Sequence, residues 1–131
     1  DTDVVFEVAP TYTITIPSEI TLEQKTENGA TTYEKVLEIT ADSVKLPKTK
    51  QIAVTMTSDF KFTADDTDQS TVDYTVTVGN STTAIASGDR VATFSTNTAQ
   101  QSSQLNFKAN EPEYAGKYKD TVTFNIAIEN A

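Results

Sequence analysis

The stretch Val122-Thr123-Phe124-Asn125-Ile126-Ala127-Ile128 decides the fold. Its large apolar side chains fall on even positions, and small or polar ones fall between them. A period of two puts one set on a core face and the other in solvent, which is the signature of a half-buried β-strand. The same rhythm recurs upstream. Tyr12, Ile14 and Ile16 alternate with Thr13 and Thr15, and Pro17 ends the run. Ile20 and Leu22 continue it. Ile52, Val54 and Met56 alternate with Ala53, Thr55 and Thr57, and Phe60 and Phe62 flank Lys61. Val72, Tyr74, Val76 and Val78 alternate with Asp73, Thr75 and Thr77, and Leu105, Phe107 and Ala109 with Asn106 and Lys108.

Composition supports the pattern. Of 131 residues, Val, Ile, Thr, Tyr and Phe supply 54 while Leu supplies 4, a balance that suits pleated strands over helices. Turn residues fall between the runs. Asn28-Gly29 sits between residues 21–25 and 31–39, a two-residue hairpin signal. Gly79-Asn80 and Gly88-Asp89 bracket residues 80–89, read as a loop between paired strands. Residues 96–104 are polar and read as a surface connection or ragged edge, and Glu111-Pro112 breaks pairing before the last strand. The sum is an all-β chain of about eight to nine strands with no helix. That number closes into an antiparallel β-sandwich of immunoglobulin-like type, with a single closed barrel as the alternative. We expect one domain over residues 1–131, since two would each be marginal. The blunt ends read as those of a mature fragment.

Charge and missing residue types narrow the function. Ten Lys and Arg against 19 Asp and Glu give a net charge of −9. Such a surface disfavours nucleic acid and anionic membrane, which are bound through basic residues. With no His, Cys or Trp, the common zinc sites, thiol nucleophiles and histidine triads are excluded, and so are disulfides. No apolar run approaches the length of a membrane span.

The segment Glu113-Tyr-Ala-Gly-Lys-Tyr-Lys-Asp-Thr-Val-Thr-Phe-Asn-Ile resembles the closing strand of small secreted domains of Gram-positive bacteria, where a tyrosine-alanine-glycine-x-tyrosine turn leads into an alternating threonine-valine strand. The opening Tyr12-Thr-Ile-Thr-Ile-Pro-Ser-Glu-Ile-Thr-Leu looks like the first strands of the same domains. So does the polar stretch of residues 96–104 ahead of Leu105-Asn-Phe. The resemblance implies an extracellular sandwich carried on a secreted or cell-surface protein. It brings no catalytic residues, and the chain contains no Leu-Pro-x-Thr-Gly sorting signal. The turn around Tyr118 is also similar to the tyrosine corner of immunoglobulin domains, although Tyr114 stands where an acidic residue is usual and Asp120 where a Cys is. Two readings stay open: a phenol bonded back to the backbone, or an ordinary half-buried aromatic with a solvated hydroxyl.

Candidate sites are few. Asp59, Asp65, Asp66 and Asp68 are the densest carboxylates, and Asp65, Asp66 and Asp68 are the set that could hold calcium. The spacing is not that of an EF-hand, and the same residues suit a solvated loop, so no metal and no cofactor are assigned. Tyr33 and Tyr114, with Tyr118, are the aromatics best placed to stack on a sugar ring, although such tyrosines also serve in strand packing. Asn125 lies on the last strand, where a Lys–Asn isopeptide bond could form, but in the polar phase. Lys45, Lys48 and Lys50 around Pro47 are expected to blunt a sheet edge. Asn80-Ser81-Thr82 fits a glycosylation acceptor at chance level.

The expectation is a non-catalytic module of a bacterial surface or secreted protein. It would act as a structural spacer or an adhesion and binding domain for a protein or glycan ligand, and stand as a monomeric part of a larger protein. One alternative is a carbohydrate-binding module. Another is a pilin-like subunit that assembles by strand exchange, which predicts a sandwich with a strand missing.

Overall fold

A computed structural model describes residues 2–17, 20–65, 67, 69–96 and 99–131. The chain is all-β, and its described residues fold as an antiparallel sandwich of ten strands. They are β1 (Thr11–Thr15), β2 (Glu23–Glu27), β3 (Ala30–Lys45), β4 (Lys50–Thr57), β5 (Lys61–Ala64), β6 (Thr71–Val78), β7 (Asp89–Phe94), β8 (Gln101–Asn110), β9 (Tyr118–Lys119) and β10 (Thr123–Asn130). One sheet runs β1-β3-β8-β6-β5-β9, with β2 also paired to β3; the other is β10-β4-β7. The count exceeds the eight to nine expected because short pieces such as the two-residue β9 carry no periodicity of their own.

The alternation read from sequence builds the core. Leu37, Ile39 and Ala41 of β3, Tyr74 and Val76 of β6, and Leu105, Phe107 and Ala109 of β8 come from the large sheet. They meet Ile52, Val54 and Met56 of β4 and Val91 and Phe94 of β7. No polar or charged residue is buried among the described residues. The rings of Phe60, Phe62 and Phe107 pack around Tyr74, with the Phe62 ring stacked 4.2 Å from it.

Two local devices shape the long strand β3. Asn28 and Gly29 both take positive φ, 51° and 80°, as a type I′ hairpin turn demands, and they join β2 to β3. Further on, β1 pairs Thr11 with Lys45 but Thr13 with Asp42, so β3 holds one extra residue there. Ser43, at φ 55°, makes this bulge, and it switches the inward phase from Leu37, Ile39 and Ala41 to Val44 and Leu46.

Three expectations need correction. Residues 80–89 do not join paired strands: β6 and β7 lie in different sheets, so the loop crosses between layers. Gln101 to Gln104 belong to β8 and pair with β3, because alternate polar residues can face solvent from a fully paired strand. Lys45, Lys48 and Lys50 sit at the corner between β3 and β4 rather than along an edge, since β4 is the middle strand of its sheet. There Lys50 Nζ donates to Asn130 Oδ1 at 2.5 Å.

The sandwich has two poles. The near pole holds the β3–β4 corner, the start of β1 opposite Lys45, and the end of β10 opposite Lys50. The far pole holds the Asn28-Gly29 turn and the start of β10, where Thr123 pairs with Thr57.

Candidate functional site

At the far pole the small sheet stops short of the large one, and residues 111–121 fold across the opening. They enclose one side of an open cavity of about 950 Å³. Tyr33, Phe62 and Val72 line it from the strands, and Tyr114, Tyr118 and Asp120 from the covering loop. The structure therefore brings together the three tyrosines that the sequence offered as sugar platforms. Tyr33 is half-buried on the inward face of β3, in register with Ala109, whereas Tyr114 is 60% exposed. Tyr118 donates its hydroxyl to the Tyr114 carbonyl at 2.7 Å, so the bonded reading of the turn is the observed one.

The loop is anchored by a second phenol. Tyr74 Oη donates to Asp120 Oδ2, and Ser58 Oγ donates to the same oxygen at 3.1 Å. Ser58 Oγ also lies 2.7 Å from the Tyr74 hydroxyl and accepts from the Phe60 amide at 2.9 Å. Burial, and then the bond to the Asp120 carboxylate, push the Tyr74 phenol well above its ordinary value. A carboxylate held by two hydroxyls beside the aromatic cluster fixes the end of residues 111–121 against β4 and β6.

The acidic loop gives less. Asp65 is exposed and paired with Lys119 at 3.5 Å, while Asp66 and Asp68 lie outside the described residues. Among the described residues no group of three metal-ligating side chains forms. Asn125 is exposed on the outer face of β10 opposite Thr55, which leaves it no buried setting for a cross-link. Asn80 is exposed in the loop after β6.

A second feature was not visible in sequence. β10 pairs with β4 along its whole length, and among the described residues no strand lies on its other edge. Ile126 stands opposite Val54 and Ile128 opposite Ile52, so both share the inward face. They are nevertheless 41% and 45% exposed. At the opposite edge of the same sheet, β7 lies against β8 of the other layer, with Ser103 Oγ donating to the Val91 carbonyl. The sheet orders then set β10 and β1 on the same side, and Ile14 and Ile16 pack half-buried against the core. The residues before β1 form an arm without secondary structure, on which Val4 and Phe6 are 90% and 91% exposed.

No family model matches the chain, and no curated protein matches it. Its backbone is similar to that of a chain in a solved structure described as "Chaperone-tip adhesin complex is vital for synergistic activation of CFA/I fimbriae biogenesis", with a TM-score of 0.65 and 12% identity. The likeness covers 88% of this chain and 40% of that one, and it concerns the fold alone. No helix among the described residues is long and apolar enough to cross a membrane.

Proposed function

We propose that the chain is a non-catalytic module of an extracellular or cell-surface assembly, serving as a structural or adhesion domain. The observation that carries this reading is the likeness of nearly its whole length to a sandwich from a chaperone–adhesin complex of fimbriae. Two physical features support it. The core is wholly apolar apart from one phenol, a scaffold rather than a reaction site. Thr recurs on the outer faces of the strands, which keeps strand propensity while leaving a solvated surface of net charge −9. An immunoglobulin-like topology and a Gram-positive source belong to the same proposal.

The test is location. Brief trypsin treatment of intact source cells is expected to cut after Lys117 and Lys119 and to release peptides from residues 111–121. Release only after lysis overturns the reading.

The far-pole cavity favours a second reading, a carbohydrate-binding module. Tyr33 and Tyr114 offer apolar ring faces beside the Glu111, Glu113 and Asp120 carboxylates, a usual combination for a sugar with both CH and OH surfaces. A glycan array checks it: selective binding lost in Tyr33→Ala and Tyr114→Ala supports it, and equal signal on every glycan removes it.

A further inference from the structure

We infer that the open edge of β10 is the docking site for the N-terminal arm of a second copy of this chain, which adds as an antiparallel strand. Val4, Phe6 and Val8 of the incoming arm would lie beside Ile128, Ile126 and Phe124.

The slot has the chemistry of a missing strand. Thr123–Asn130 contains neither Lys nor Pro, the residues that ordinarily protect an edge, and its inward isoleucines are uncovered. The arm has the matching chemistry. Val4, Phe6 and Val8 fall at alternate positions, the spacing of Phe124, Ile126 and Ile128, with Val5 and Glu7 between them. Val4 and Phe6 stand almost fully in solvent and Val8 more than half so, and strand addition covers both surfaces while pairing the free backbone groups.

Direction selects a second copy over the arm's own β10. The arm leaves the sandwich at Thr11, at the pole where β10 ends. To lie on its own β10 it would have to double back at Ala9-Pro10 and pair in parallel. A residue before proline is held extended, which opposes that reversal, and parallel pairing is the weaker ladder. A neighbour's arm enters at the far pole, where β10 begins, and pairs antiparallel without bending. The contact is head-to-tail, so it propagates as an open chain of copies. This departs from the expectation of a monomeric module, and it holds or fails independently of where the protein resides.

Two measurements on the full chain test it. The sequence has no Cys, so Phe6→Cys combined with Ile126→Cys introduces one defined pair. Mild oxidation is expected to give a ladder in multiples of 14.2 kDa. Cross-linking confined to single chains, or none, overturns the proposal. In the second, Phe6→Asp keeps the slot and loses the arm, and Ile126→Asp does the reverse. Each alone is expected to elute as a monomer, and their mixture as a dimer limited to one contact. Matching far-ultraviolet spectra and melting curves establish that both variants fold. A mixture that stays monomeric, or unchanged oligomers in either variant alone, counts against strand exchange.

Discussion

Ile128 stands directly opposite Ile52 across the β10–β4 ladder, on the same face of the sheet, yet Ile52 is fully buried and Ile128 is nearly half exposed. Two identical side chains at one rung thus have different surroundings. The difference arises because, among the described residues, β4 has a strand on each side while β10 has one.

Truncation should read this asymmetry directly. Ile52→Ala removes a side chain packed on all sides and is expected to cost about 2–5 kcal/mol. Ile128→Ala in the monomer leaves no closed cavity and is expected to cost about 1 kcal/mol or less. Urea unfolding of both variants at a concentration where the chain is monomeric checks the contrast; equal losses contradict the open edge.

The Tyr74 phenol makes stability depend on alkaline pH. Its folded pKa lies above the unfolded value of about 10, so the folded state keeps the proton longer. The associated stabilisation is complete below that pH and fades as pH rises past it. Melting temperatures from pH 8 to pH 11 (about two units below to one unit above the free phenol) should fall at the upper end for the native chain. The Tyr74→Phe variant should show a shallower fall.

At neutral pH the same substitution tests the Ser58–Tyr74–Asp120 cluster. Losing the phenol hydroxyl leaves Asp120 with the Ser58 hydroxyl alone, and the expected cost is about 1–3 kcal/mol. Hydrogen exchange should quicken over residues 111–121, which the carboxylate anchors, more than in β8.

Tyr118→Phe removes only the bond to the Tyr114 carbonyl and should cost about 0.5–1.5 kcal/mol. Under the carbohydrate-binding reading, any glycan affinity at the far-pole cavity should weaken by no more than this loop energy. Calorimetry of the variant compares the two.

At the hairpin, Gly29→Ala has open space for its methyl group but must adopt φ +80°, so the expected loss is about 1 kcal/mol and purely conformational. Gly29→Asn, which tolerates that region better, should recover part of it in thermal melts.

Much of this architecture is legible in sequence because alternation is a local property. The runs at Val72–Val78, Leu105–Ala109 and Ile52–Met56 name their own inward faces, and Asn28-Gly29 names its turn. Periodicity says which side of a strand is apolar; it does not say whether another layer covers it. That is why Ile126 and Ile128 read as core and stand half-open. The Ser43 bulge was illegible for a similar reason: one extra residue flips the phase, and nothing about Asp42-Ser43 marks it. The meeting of Tyr33 with Tyr114 depends on long-range pairing of β3, β8 and the loop after it, which no local pattern encodes.

The start of the first strand and the end of the last share one pole, and this has a mechanical consequence. A pull applied through the start of β1 and the end of β10 opens the β1–β3 ladder from Lys45 onward, one rung after another, with little resistance. A pull delivered from opposite poles runs along the strands, and their rungs then yield together. Whether the fold bears tension well is therefore set by where it is gripped, more than by how many bonds it contains.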